Sequence, residues 1–229
     1  MTEFDEALRS GLIRIIVWGY PSPPRDRWTQ DTAPAIKGLV KGLASGTRKG
    51  LFRLSSKQEV AWPWTLEELA EELAQPSLMT VIIAHGGPNT GNAHTWALLD
   101  RPHDATPASP QKLWNQMKAP VPTRILVVDA CYTEKAVQKK WMRLAREDAV
   151  LIAGTGEVQI FEATRWFSCL FSALSAYHGA DPVTADQVEA AFDLTKRFLR
   201  EHGCDSLSRP RLDGLIWPRL RLAGGVATV

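Results

Sequence analysis

The chain has 229 residues, 45% of them hydrophobic, which is enough for one substantial core. At roughly 150 residues per domain its length allows one to two domains. Lys and Arg number 27 against 25 Asp and Glu, a net charge of +2. That balance gives no electrostatic footprint for nucleic acid and excludes an acidic disordered tail. The longest apolar runs, such as Val81-Ile82-Ile83-Ala84, fall far short of the roughly 20 residues that span a bilayer. Met1 to Glu6 holds three acids and no basic residue, unlike a signal peptide. Three cysteines, at 131, 169 and 204, are too few and too oddly numbered for a disulfide framework. The expectation is a soluble, cytoplasmic protein with no nucleic-acid or membrane partner.

Gly11 to Trp18 is short and β-branched and runs into Gly19 and prolines at 21, 23 and 24, which predicts a buried strand and a loop. Asp31 caps an amphipathic stretch with Pro34 in its first turn and apolar residues at 36, 39, 40 and 43, closed by Gly46, the pattern of a helix. A second strand is expected near Leu51 to Leu54. Thr65 with Glu68 forms a capping box for a helix through Leu73, broken by Pro76 and Ser77. Leu78 to Ala84 is a continuous apolar strand stopping at His85-Gly86-Gly87. A loop should follow, with a short hairpin arm over Trp96 to Leu99. Ser109-Pro110 opens a helix through Met117, and Pro120 and Pro122 end the connection.

Ile125 to Asp129 is a further buried strand, with Cys131 just past its end. Thr133 to Arg146 has a helical pattern, and Val150 to Ala153 is a strand ended by Gly154-Thr155-Gly156. Glu162 to Tyr177 and Thr184 to His202 complete the predicted helices. Strands apolar on both faces that alternate with helices specify an α/β fold, a mainly parallel sheet sandwiched by helices. With no repeat and no long linker, residues 1–229 are expected to form a single domain.

Ligands of parallel α/β sheets bind at the carboxyl ends of the strands. Two strands here end in chemically capable residues, one in His85-Gly86 and the other in Asp129-Ala130-Cys131, with His85 and Cys131 46 positions apart. If those strands are neighbours, a His and a Cys meet in one cleft. Cys131 would lie near the N-terminus of the following helix, whose partial positive charge favours thiolate. An imidazolium at His85 would favour it further and later protonate a leaving amine. The Cys131 amide and the Gly86 amide, unobstructed by a side chain, would form an oxyanion hole. A Cys at a strand end also serves as a small buried hydrophobe, and a His there as an ordinary hydrogen-bonded residue. Their joint placement, with glycine after the His, favours the catalytic reading.

Ile82-Ile83-Ala84-His85-Gly86 and Ile125-Leu126-Val127-Val128-Asp129-Ala130-Cys131 resemble the caspase-like (clan CD) cysteine peptidases, in which the His precedes a motif ending in the Cys by about 50 residues. Bacterial members and metacaspases more often read His-Gly and Asp-x-Cys, the form found here. The resemblance extends through Val150 to Ala153 and Phe167 to Leu174, which are similar to the strand and helix that follow in that fold. It departs at Ile83-Ala84, where metacaspases have Ser-Gly, and at Tyr132-Thr133, where small residues are usual. Neither change removes a catalytic group.

The resemblance implies a caspase-haemoglobinase-like fold and a cysteine endopeptidase with catalytic His85 and Cys131. The enzyme so implied would need no cofactor and would act on a protein substrate in a bacterial defence or cell-death pathway. It further implies that Asp129 lines the S1 pocket and selects Arg or Lys at P1. A carboxylate does pair well with a desolvated guanidinium, but Asp129 equally suits a helix cap. Glu157, in a further wall of the cleft, and Asp26, after the first strand, are additional acids for substrate binding. Tyr132 to Asp148 is too short for the cleavable intersubunit loop of animal caspases, so a single-chain enzyme is expected. Without a sensor of its own, regulation would come from an activating or upstream partner protein. The rival reading is a catalytically idle caspase-like module for protein interaction.

His85, His94, His103 and Cys131 match no zinc spacing. No phosphate-binding glycine motif is present, and no acidic cluster is assignable to calcium. The nine tryptophans are scattered, which fits core and cleft packing. Cys169 and Cys204 are packing residues, and 209–229 is open between a final strand, a dimer contact and a tail.

Overall fold

A computed structural model describes residues 2–18, 53–54, 61–88, 94–97, 108–130, 141–154, 169–170, 172–174, 176–177, 182–201 and 215–216. The chain opens with helix α1 (Glu3–Arg9), whose Thr2 and Asp5 form a reciprocal capping box. Gly11 at φ 63° turns the chain out of that helix, in the left-handed region that costs a residue with a Cβ. Strand β1 (Leu12–Val17) follows, then β2 (Arg53–Leu54), α2 (Leu66–Leu73) and β3 (Ser77–Ile83). The Thr65–Glu68 capping box starts α2 as the sequence predicts.

Next come β4 (His85–Pro88), β5 (His94–Ala97), α3 (Pro110–Met117) and β6 (Thr123–Asp129). A 3₁₀ turn (Trp141–Leu144), β7 (Val150–Gly154), α4 (Ala185–Glu201) and β8 (Leu215–Ile216) complete the order. Helical residues also occur at 169–170 and 172–174.

Six strands form one sheet in the order β2-β1-β3-β6-β7-β8. All of its pairings are parallel except the last, β7 with β8. The α/β class with a mainly parallel sheet is therefore as expected. Alternate residues of each central strand feed two separate cores, as a period of two requires. On one face Ile13, Ile15, Val81, Ile83, Val127 and Ile152 pack under Leu8 of α1 and Val188, Ala191 and Phe192 of α4. On the other, Ile16, Ile82, Leu126, Val128 and Leu151 pack under Leu69 and Leu73 of α2 and Leu113 of α3. Each fully buried Ile or Leu contributes about 1.5–3 kcal/mol, so the two helical layers hold the sheet from both sides.

Two expectations need correction. The chain after Ile83 does not pass directly into a loop: His85–Pro88 pairs antiparallel with His94–Ala97 in a separate two-stranded ribbon, whose second strand overlaps the expected arm at 96–99, of which 98–99 lie outside the described residues. The helix predicted over 133–146 does not reach Arg146, because Trp141–Leu144 is 3₁₀ and Ala145 makes a parallel bridge to Val121. There the Val121 N–H donates to the Leu144 carbonyl at 2.7 Å, a tertiary bond that competes with continued helix. The second strand, expected near Leu51 to Leu54, is present at Arg53–Leu54, and 51–52 lie outside the described residues. The helix predicted from Asp31 lies outside the described residues. Among the described residues no helix is long and apolar enough to cross a membrane.

Candidate active site

The strands that carry the two chemically capable ends are neighbours. β3 and β6 pair in parallel from Ser77↔Thr123 to Ile83↔Asp129, every pair separated by the same 46 positions. That offset is also the separation of His85 from Cys131, each two residues beyond the last pair. The sheet therefore delivers both segments to the same edge, the carboxyl edge where parallel sheets bind ligands.

Ala84 is buried and His85 half-buried. His85 is the first residue of β4, in register with Ala97, and Gly86 pairs with Trp96. The histidine is thus anchored by a regular ribbon rather than held on a loop. Asp129 is the last residue of β6, level with Ile83, and Ala130 behind it is 2% exposed. Cys131, Asp26 and Glu157 lie outside the described residues. The structure thus places His85, Gly86 and Asp129 at the ends of two adjacent strands.

Trp18 closes the same edge over β1. Its backbone N–H donates to the Ile83 carbonyl at 3.0 Å, extending the β1–β3 ladder to the last residue of β3. The indole is 1% exposed and packs on the face that holds Ile82 and Ala84, with Nε1 lacking a hydrogen-bond partner. Its bulk excludes water beside the strand that leads to His85. The first strand of the β4–β5 ribbon, His85–Pro88, is the element that sequence reasoning missed. The signal available was Thr95-Trp96, two good β-formers, set against Gly86-Gly87-Pro88, which are poor ones. Among the described residues no cluster of three or more His, Cys, Asp or Glu is placed to hold a metal ion.

No family model and no curated protein matches this chain.

Proposed function

We propose that this chain is a caspase-like cysteine endopeptidase with a caspase-haemoglobinase-like fold, using Cys131 as nucleophile and His85 as proton carrier. The observation that carries this reading is the parallel β3–β6 register, whose constant offset of 46 equals the His85–Cys131 separation. That register sets the segment leading to His85 beside the end of β6, after which Cys131 follows Ala130 in sequence, and a glycine follows the histidine.

In this mechanism the Cys131 sulfur, as thiolate, adds to the scissile carbonyl carbon, and the carbonyl oxygen becomes an oxyanion held by the Gly86 and Cys131 amides. The C–N bond then breaks as His85 gives its proton to the leaving amine. Water attacks the thioester, His85 takes the proton of that water, and collapse expels the thiolate and frees the new carboxylic acid. Every step closes on protein groups and water, so no cofactor enters. Asp129, at the end of β6, receives the guanidinium or ammonium of a P1 Arg or Lys, and Glu157 and Asp26 add negative charge around it. The chain works without a maturation cut between Tyr132 and Asp148, on one dedicated protein target in a bacterial defence or cell-death pathway, switched on by a partner protein.

The test is a peptide library varied at P1, digested by the wild type and by Cys131→Ala, together with labelling by a peptidyl electrophile. Cleavage after Arg or Lys that disappears in the variant, with labelling at Cys131, is the expected result. Cleavage after other residues retains the dyad and removes the role of Asp129. A wild-type protein that neither cleaves nor labels is an interaction module, and the peptidase reading is then wrong.

A further inference from the structure

We propose that a second copy of this chain docks on helix α4, the two α4 helices packing antiparallel about a two-fold axis at Leu194. The proposal goes beyond the peptidase reading and does not rest on it. Among the described residues three large hydrophobic side chains are exposed, Trp64, Leu194 and Phe198. Exposed apolar residues scattered singly are ordinary surface. Leu194 and Phe198, each 46% exposed, are instead four positions apart on α4, and Ala190, four positions before Leu194, is exposed as well. Residues at that spacing lie one above the other on a helix, so the three form an apolar stripe. The core does not cover it, because the buried side of α4 is made by Val188, Ala191, Phe192 and Thr195.

Two features say what covers the stripe. The first is size. Ala190 and Phe198 lie equally far from Leu194, so an antiparallel pair sets Ala190 against Phe198 of the partner subunit, and Phe198 against the partner's Ala190. The smallest side chain of the stripe meets the largest, twice, and Leu194 meets its own copy. A parallel pair would crowd two phenylalanines together and leave a gap between two alanines.

The second feature is charge. Asp193 and Arg197 are exposed, and at 3.6 residues per turn they flank the stripe on one side. Neither takes part in an ion pair among the described residues. Under the same symmetry Arg197 stands two residues, about 3 Å of helical rise, from the level of the partner's Asp193, and on the same flank. The contact forms twice, since an isologous interface repeats each of its contacts. A face whose volume and charge complement themselves under one rotation fits a second copy. One helix pair falls short of the roughly 1,200 Å² that a standard interface buries, so a dissociation constant on the order of 10 µM is expected.

The test is sedimentation equilibrium of the full chain with reductant present, from about 1 to 500 µM. The wild type should pass from the mass of one chain to that of two as concentration rises. Leu194→Glu sets two carboxylates together on the axis and should weaken association about a hundredfold or more. Its exposed position spares the fold, which an unchanged urea midpoint checks. Arg197→Asp and Asp193→Arg should each weaken association about tenfold. The two substitutions combined exchange the charges and should return it to within about threefold of wild type. A wild type that stays a single chain at every concentration overturns the proposal. Dimers that survive Leu194→Glu, or assemblies larger than two, put the contact elsewhere and overturn it as well. Association that the combined exchange does not recover overturns the antiparallel register.

Discussion

The β3–β6 pair has two ends built on opposite principles. At the amino edge three hydroxyl side chains, Ser77, Thr80 and Thr123, are fully buried and bonded to one another. The Ser77 hydroxyl lies 2.8 Å from that of Thr80 and donates to that of Thr123 at 3.0 Å, while the Thr123 hydroxyl bonds the Leu78 and Ile125 carbonyls. Outside them Arg124 pairs with Asp148, and Arg146 both bonds Asp148 and stacks over Phe4 of α1 at 4.0 Å. At the carboxyl edge the last register pair is Ile83↔Asp129, and the chain beyond β3 leaves the sheet for a second ribbon. One end is closed by mutual hydrogen bonds that fix register. The other presents a histidine, a glycine and an acid. In such a sheet the residues that hold the strands together and those proposed to act on a substrate need not be the same, and here the two groups stand at opposite ends of the same two strands.

Substitutions at the two ends should therefore have opposite readouts. His85→Ala is expected to lower kcat by about 10²–10⁴ through loss of the proton carrier, while changing unfolding free energy by no more than about 1 kcal/mol. Parallel assays of turnover and urea unfolding check this, and a large stability loss with proportionate inactivation would move His85 to the structural side. Thr123→Val does the reverse. It removes a buried hydroxyl and leaves the Ser77 hydroxyl only its contact with Thr80, which should cost about 1–2 kcal/mol with kcat per folded molecule unchanged. A kinetic defect in well-folded Thr123→Val would show that the amino edge communicates with the site.

Most of the amino-edge scaffold was legible in the sequence because its signals are local. The Thr65–Glu68 box sets the start of α2, Ser109-Pro110 that of α3, and the unbroken apolar runs of β3, β6 and β7 mark strands buried on both faces. The neighbour relation of His85 and Asp129 was legible only as a condition, because strand order is a long-range property that no window of sequence carries. The first strand of the ribbon was missed for the same reason. Gly86, Gly87 and Pro88 disfavour a strand by themselves and become one only through pairing with His94–Ala97. At Trp141–Leu144 a helical pattern was overridden by the Val121↔Ala145 bridge. Helix α1 has only seven residues, too few for a hydrophobic period to stand out, although Thr2 and Asp5 mark its cap.

Acid should loosen the amino edge selectively. Burial raises the Asp148 carboxyl, but the hydrogen bond from Arg146 and the charges of Arg124 and Arg146 together outweigh it and hold the group below its ordinary value of 3.8. A depressed folded value means that the pair contributes stability above pH 3.8 and loses it as pH falls below that value toward the folded one. The Asp148 side chain is 43% exposed, so solvent screening keeps the contribution under about 1 kcal/mol. Urea midpoints at pH 7 and pH 3 should differ less in Asp148→Asn than in the wild type. An equal pH dependence in both proteins would assign the acid sensitivity to other carboxylates, such as Glu68, which the Trp64 N–H holds low.

The smallest effect expected lies in the turn that feeds the amino end of β6. Lys118 caps α3 at φ 56°, in the left-handed region, with its N–H donating to the Trp114 carbonyl at 2.7 Å. A residue with a Cβ pays roughly 1–2 kcal/mol for that conformation, whereas glycine adopts it freely but gives up about 0.4–1 kcal/mol through the greater freedom of its unfolded chain. Lys118→Gly should therefore stabilise the protein by about 0.5 kcal/mol, seen as a higher urea midpoint with an unchanged slope. Because this turn lies at the end of β6 remote from Asp129, kcat should not move. A loss of stability would mean that the lysine side chain contributes more to the amino edge than its backbone strain removes, while a change in kcat at unchanged stability would show that the position of β6 reaches the catalytic end, and the division between the two edges would fail there.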